Sequence, residues 1–190
     1  VGLVAKYVGN EDTYICVTEA LKAAAAWNDV NLDLRWINAE KVDEKMLSEV
    51  DGLVVPGGFG NRGVEGKIAA ANYALDHDVP YLGLCLGMQV ACIAGARRAG
   101  LKHANSEEFD KETKENVIYL MDGQEGKEST GGSMRLGDFP AKLVKGSKTA
   151  KIYGKTNIVE RHRHRYEVNQ KFLKEIEKGG VVVSGTSPDG

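Results

Sequence analysis

Cys85 stands between two glycines, Gly83 and Gly87, in the stretch Pro80–Gln89, PYLGLCLGMQ. Tyr81–Leu84 are apolar and strand-like, and Val90–Ala94 continue a helical pattern that opens at the cysteine. A G-x-C-x-G between a strand and a helix is the cysteine form of a nucleophile elbow. The chain must turn sharply there, and the two glycines remove the Cβ atoms that would collide. The turn lifts the sulfur clear of the sheet edge and sets it at a helix N-terminus, whose free N–H groups favour a thiolate. The chemistry on offer is nucleophilic attack by sulfur. Most free cysteines are packing residues. Cys92, two turns along the same helix, and Cys16, in the first helix, are expected to be of that kind.

Three further clusters have residue types that can do chemistry. Gly58-Phe59-Gly60-Asn61-Arg62-Gly63 spells G-x-G-x-x-G between a strand and a helix, which invites a dinucleotide reading. The acid that would hold the ribose should end the next strand, however, and Asp78 precedes one. A P-loop fails as well, because Gly60 to Gly66-Lys67 has one residue too many and Ile68 stands where Ser or Thr should hold magnesium. The loop can instead offer backbone N–H groups to a developing oxyanion beside the nucleophile. Arg161 to Tyr166 reads Arg-His-Arg-His-Arg-Tyr, so on a strand His162 and His164 share one face and the arginines the other. Two histidines are half a zinc site without a third ligand near, so no metal is expected; a fixed guanidinium there can hold a carboxylate. Glu107 and Glu108, after Asn105-Ser106, are either a charged surface turn or a partner for a cationic substrate group.

The elements that must position these groups alternate. Strands are expected over Gly2–Tyr7, around Leu32, Leu34 and Trp36, over Gly52–Val55 and over Tyr81–Leu84. Helices are expected over Tyr14–Trp27 (capped by Asp12 or Thr13, with Tyr14, Val17, Leu21, Ala24 and Trp27 on the packed face), Asp43–Val50, Val64–His77 and onward from Cys85. That is a series of βαβ units. It predicts an α/β fold with a mostly parallel central sheet flanked by helices, ligands collecting at the carboxyl ends of the strands. Further on come strands at Asn116–Leu120, Ala141–Val144, Ile158–Val168 and Val181–Ser184. A polar glycine-rich loop is expected over Asp122–Gly132, and a helix over Gln170–Lys178 capped by Asn169.

With 190 residues and no linker-like stretch, the sequence predicts one domain. Hydrophobic residues at 42% and charged residues at 27% are the balance of a soluble globular protein. A net charge of −2 gives no general attraction to nucleic acid or an anionic membrane. No apolar run is long enough to span a bilayer, and no signal peptide is evident. Three cysteines without framework spacing point to a reducing compartment, the cytoplasm.

Together, the elbow GLCLGMQ and the stretches Pro56–Lys67 (PGGFGNRGVEGK), Gly131–Gly137 (GGSMRLG), Glu160–Asn169 (ERHRHRYEVN) and Ser184–Gly190 (SGTSPDG) resemble the class I, triad-type glutamine amidotransferase domain of the CTP synthase family. The resemblance covers nearly the whole chain. It implies a flavodoxin-like amidotransferase fold that hydrolyses L-glutamine to glutamate and ammonia through a cysteine thioester, with Cys85 as nucleophile. Gly58 and Leu86 would donate to the oxyanion. Gly58, Leu86, Gly87, Met88, Gln89, Glu108, Arg165 and Tyr166 would line the glutamine site, Glu108 near the α-ammonium. Phe59 and Arg62 look like the family's contacts to GTP, its allosteric activator. No cofactor is implied for this domain; ATP and Mg belong to the family's synthetase domain, which would be the partner and would aminate UTP to CTP in a homo-oligomeric (tetrameric) full-length enzyme. Residues 1–190 are expected to be a single amidotransferase domain without the synthetase domain and cut short before the family's His-Pro-Glu segment. That leaves the catalytic base unassigned. Two alternatives stay open: a non-catalytic amidotransferase-like binding module, and another elbow-cysteine hydrolase acting on peptides or small thioesters.

Overall fold

The computed structural model describes residues 1–121 and 135–188. In chain order the elements are β1 (Gly2–Ala5), α1 (Ile15–Trp27), β2 (Arg35–Asn38), α2 (Glu44–Ser48), β3 (Leu53–Val55), α3 (Val64–His77), β4 (Tyr81–Gly83), α4 (Leu86–Arg98), β5 (Asn105–Ser106) and β6 (Asn116–Leu120). They continue with β7 (Arg135–Leu143), α5 (Lys148–Tyr153), β8 (Asn157–His164), β9 (Tyr166–Val168), α6 (Leu173–Lys178) and β10 (Gly185–Thr186).

β1 and β3 are buried at every position, which is why they read as unbroken apolar runs rather than alternating ones. They are the inner strands of a parallel sheet ordered β2-β1-β3-β4. The order reverses direction at β1, so the crevice for a ligand lies beyond the carboxyl ends of β1 and β3. The loop Pro56–Gly63 and the turn into α4 both open there. α3 and α4 pack together, and Val64, Ile68, Ala71, Val90, Ile93 and Ala94 form much of the main core. Small residues allow the closest contacts. A Cβ on Gly66 would lie 1.9 Å from the Ala39 carbonyl oxygen, and one on Gly179 would lie 1.8 Å from that of Gly95.

The first half matches the expected α/β plan, and α3 and β6 occupy the expected residues. The second half departs from it. Instead of adding to the parallel sheet, β7 pairs antiparallel with β8 and β10, and β6 lies parallel to β5 and antiparallel to β9. The single strand expected over Ile158–Val168 is interrupted at Arg165, and its two pieces belong to different sheets. Val181–Ser184 is not a strand, because the chain is still leaving α6 there, and pairing to β7 begins only at Gly185. α5 was not expected: its six residues hold one buried side chain, Ala150, and it is set by the Ser147 cap and Gly154 at φ 67°.

On α1 the packed face is Tyr14, Val17, Thr18 and Leu21, while Trp27 at the last turn is 90% exposed. Neither Asp12 nor Thr13 caps it, since a 3-10 turn over Glu11–Tyr14 leads into the helix. Cys16 is exposed rather than packed, whereas Cys92 is buried as expected. The loop expected over Asp122–Gly132, most of the GGSMRLG stretch and the last two residues lie outside the described residues. Among the described residues no helix is long and apolar enough to cross a membrane.

Gly66→Ala should cost about 2–4 kcal/mol, because the clash is with backbone that cannot swing aside. Gly52→Ala, whose new methyl would lie 3.5 Å from the Pro80 oxygen in ordinary contact, should stay within about 1 kcal/mol. Urea unfolding of both variants checks the contrast.

Candidate active site

Cys85 has φ 53° and ψ −109°, a left-handed conformation that a residue with a Cβ adopts only when its surroundings impose it. The imposing contacts are the two glycines. A Cβ on Gly83 would fall 2.5 Å from the Gly87 carbonyl carbon, and one on Gly87 would fall 1.9 Å from the Val55 oxygen. Tyr81 Oη donates to Gly87 O at 2.7 Å, and Leu84 N donates to Val55 O at 3.0 Å. The elbow is therefore clamped to the end of β3.

The loop leaving β3 runs over it. An added Cβ on Gly57 would be 3.4 Å from Cys85 Cβ and 3.9 Å from Sγ, and one on Gly58 would be 3.5 Å from Leu86 Cδ2. The two glycine-bearing turns do face one place. Cys85 is exposed as a residue, yet its thiol pKa is raised. Desolvation by the surrounding protein is the largest cause; the Leu86 N–H pulls the other way, the Glu108 carboxylate pushes up, and Lys67 and Arg163 pull down. Sγ also meets the Arg163 carbonyl at 3.8 Å, a contact only the protonated form can donate to. The Leu86 N–H at the helix N-terminus favours the thiolate, in the expected direction, and desolvation is the larger, opposing effect.

Glu108 reaches the same mouth from the turn after β5. Its Oε1 accepts from Gly60 N at 2.7 Å. Burial raises its pKa, and the Gly60 N–H, Lys6 and Arg165 oppose the rise. Its neighbour Glu107 is structural, accepting from Asn116 Nδ2 at 2.5 Å and from Leu120 N at 2.8 Å. Arg165 occupies the break between β8 and β9, and its charge acts on Glu108. Gln89, only 4% exposed, donates through Nε2 to the Tyr166 carbonyl at 3.0 Å and ties α4 to that break. Two other expected site residues turn elsewhere. Met88 Sδ sits 3.6 Å from Cys92 Sγ, and Arg62 pairs with Glu40 at 3.1 Å over the Tyr7 ring. Phe59 is exposed, its carbonyl held by Lys6 Nζ at 2.9 Å.

The face expected for His162 and His164 is as read. His162 Nδ1 lies 2.9 Å from His164 Nε2, and His164 Nδ1 lies 3.1 Å from Tyr166 O. Burial first, then His162, lowers the His164 pKa, and both rings are half-buried. The arginine face is exposed, Arg161 lying 3.7 Å from Asp138. Sequence reasoning missed Lys67. It is 1% exposed, with Nζ 3.5 Å from Pro56 O and 3.7 Å from where Gly58 would carry a Cβ. The signal was present: Lys67 falls three residues after Val64 and four before Ala71, on the apolar stripe of α3.

Comparison with known proteins fits this geometry. A family model described as "Glutamine amidotransferase class-I" matches residues 11–190. CTP synthases from Carboxydothermus hydrogenoformans and Lactiplantibacillus plantarum are 51% and 52% identical to the chain over its whole length. The chain spans about 36% of the length of each. The glutaminase domain of Trypanosoma brucei CTPS, solved with bound acivicin, superposes with a TM-score of 0.88 at 40% identity, covering 97% of this chain and 73% of that one. On these matches, with a cysteine elbow facing a glycine loop at the switch point of a β2-β1-β3-β4 sheet, the chain belongs to the class-I glutamine amidotransferase family, among the glutaminase domains of CTP synthases.

Proposed function

We propose that this chain hydrolyses the side-chain amide of L-glutamine, with Cys85 as the nucleophile. The observation that carries the reading is the strained elbow, which sets the Cys85 sulfur between the Gly57-Gly58 loop and the Leu86 N–H. Sulfur attacks the amide carbon, and the negative oxygen of the tetrahedral intermediate takes backbone donors at Gly58 and Leu86. The C–N bond breaks, ammonia leaves with an added proton, and a thioester remains. Water then attacks it, releasing glutamate and restoring the thiol. The amide chemistry itself needs no cofactor.

The amino-acid end of the substrate is a zwitterion, and two opposite charges wait for it. Glu108 suits the α-ammonium and Arg165 the α-carboxylate, with Gln89 fixing the Tyr166 carbonyl beside them and Gly87 and the Met88 backbone completing the wall. Both nitrogens of His164 are engaged, with His162 Nδ1 and with the Tyr166 carbonyl, which argues against His164 as the base for Cys85. The family resemblance assigns that role to a His-Pro-Glu segment outside the given residues, in which the Glu orients the His. In the longer protein the ammonia would aminate UTP to CTP in a synthetase domain that uses ATP and Mg. GTP would act at Phe59 and Arg62, and the whole would be a cytoplasmic homo-tetramer.

An electrophilic glutamine analogue such as acivicin should modify Cys85, and excess glutamine should protect it while other amides do not. Peptide mapping that finds Cys16 modified first, or protection by unrelated amides, would overturn the assignment. Because only the thiolate reacts and its pKa lies above the ordinary 9.0, labelling should speed up as pH rises and still be rising at pH 9.

Glu108→Gln and Arg165→Met should each weaken glutamine protection by about ten- to a hundredfold, the value of one lost charge-assisted contact of about 1.5–3 kcal/mol. Labelling by a small neutral reagent should persist in both. Its loss as well would indicate a folding defect, to be checked by circular dichroism.

A chain extended through the His-Pro-Glu segment should release ammonia from glutamine far faster than the 190-residue chain. Equal turnover by both would place the base within the present residues, with His162 and His164 the first to replace.

A further inference from the structure

We propose that Lys67 is the buried counter-charge of the Cys85 thiolate, a positioning residue that sets the ionisation of the nucleophile from beneath the glycine loop. The inference rests on the reading of Cys85 as nucleophile and adds a residue that the elbow pattern does not contain.

Lys67 is the largest fully buried side chain in the molecule's described core, at 1% exposure. Among the described residues no carboxylate pairs with its ammonium. Its hydrogen bond is to Pro56 O at 3.5 Å, longer than a well-formed N–H···O bond. A buried, poorly paired ammonium is costly, and a purely structural position on the α3 stripe would suit Met or Leu better. The charge is retained where a negative charge has to form.

Its surroundings say which charge that is. Gly57 and Gly58 are consecutive, and Gly57 lies against Cys85 while Gly58 lies against Lys67 Nζ. A Cβ on Gly57 would lie 3.9 Å from Cys85 Sγ and one on Gly58 3.7 Å from Lys67 Nζ, so the ammonium and the sulfur lie against neighbouring residues of one loop. The charged groups facing the pair are Lys6 at the end of β1, Glu108 after β5, and Arg163 on β8. Glu108 works against the thiolate; Lys67 and Arg163 favour it, and Lys67 does so from a site that water does not screen. In return the thiolate favours the charged form of Lys67, whose pKa burial and the neighbouring Lys6 lower to about 8. Linkage makes this support mutual.

The test is the pH profile of Cys85 alkylation by iodoacetamide, a neutral probe, in the wild-type chain and in Lys67→Met, which keeps the stem and removes the charge. Below about pH 8, where Lys67 carries its charge, the rate should fall in the variant, about three- to tenfold at pH 7, and the two profiles should converge at higher pH. The plateau at high pH, where the thiol is fully ionised, should be unchanged, and the melting temperature should not drop. Superimposable profiles, or a loss equal at every pH including the plateau, would overturn the proposal, the latter because it marks a displaced sulfur. Should Lys67→Met fail to fold, the side-chain resonance of Lys67 can be titrated by NMR in the wild type and in Cys85→Ser. Its midpoint should be higher in the wild type, and equal midpoints would overturn the pairing. A pH 7 rate that falls in Lys67→Met while glutamine gives no protection would remove the glutaminase reading and leave the counter-charge standing. Protection with an unchanged pH 7 rate would do the reverse.

Discussion

The Val55 carbonyl leaves no room for a Cβ at residue 87, and it also accepts from Leu84 N. One oxygen at the end of β3 therefore holds both sides of the elbow. Because α4 starts this close to β3, the chain between them must pass through a positive φ, and the residue there is Cys85. The strain of a non-glycine residue in that region is on the order of 1–3 kcal/mol. It is offset by α4, whose buried face reaches from Leu86 to Ala96. The core thus fixes the nucleophile, and no side chain of the site needs to.

The same closeness decides the electrostatics. A helix N-terminus stabilises an adjacent anion by about 0.3–1 kcal/mol, less than one pKa unit. Placing the sulfur under the Pro56–Gly63 loop and against the Arg163 carbonyl removes water from it, and the raised thiol pKa shows that this effect is the larger. A thiol that the surrounding protein partly desolvates cannot rely on its helix alone for a thiolate. Charges from outside the motif have to contribute, and Lys67 and Arg163 are the two that act in that direction.

How much of this was legible follows from where the information sits. The elbow was legible because strand, two glycines and helix are consecutive, and the clash distances at Gly83 and Gly87 bear out the reason given for them. α3 was legible at both ends, with Gly63 and Asp78 in left-handed conformations as its limits. The break at Arg165 was not, since nothing local distinguishes it from the strand on either side; pairing of β9 to β6, some 45 residues earlier, creates it. Nor was the division of labour between Glu107 and Glu108, two adjacent identical side chains that face opposite ways. Trp27 was misassigned because helical periodicity says which residues share a face but not how far along the helix its partner extends.

Glu108 ties these threads together. Its contact with Gly60 N spans 48 residues and joins the turn after β5 to the loop after β3. One Glu108 oxygen is already committed to that loop, so in the proposed reading an arriving α-ammonium meets a carboxylate that the Lys6 and Arg165 charges also act on. The loop held this way, proposed above to supply an oxyanion donor at Gly58, carries Phe59 and Arg62, anchored by Lys6 at the Phe59 carbonyl and by Glu40 at Arg62. Substrate charge, oxyanion donor and the outer face of the loop are therefore connected through about five residues of backbone. Any group that shifts Phe59 or Arg62 pulls on the same segment that Glu108 holds, so the amino-acid end of the glutamine pocket and the outer surface of the loop cannot move independently.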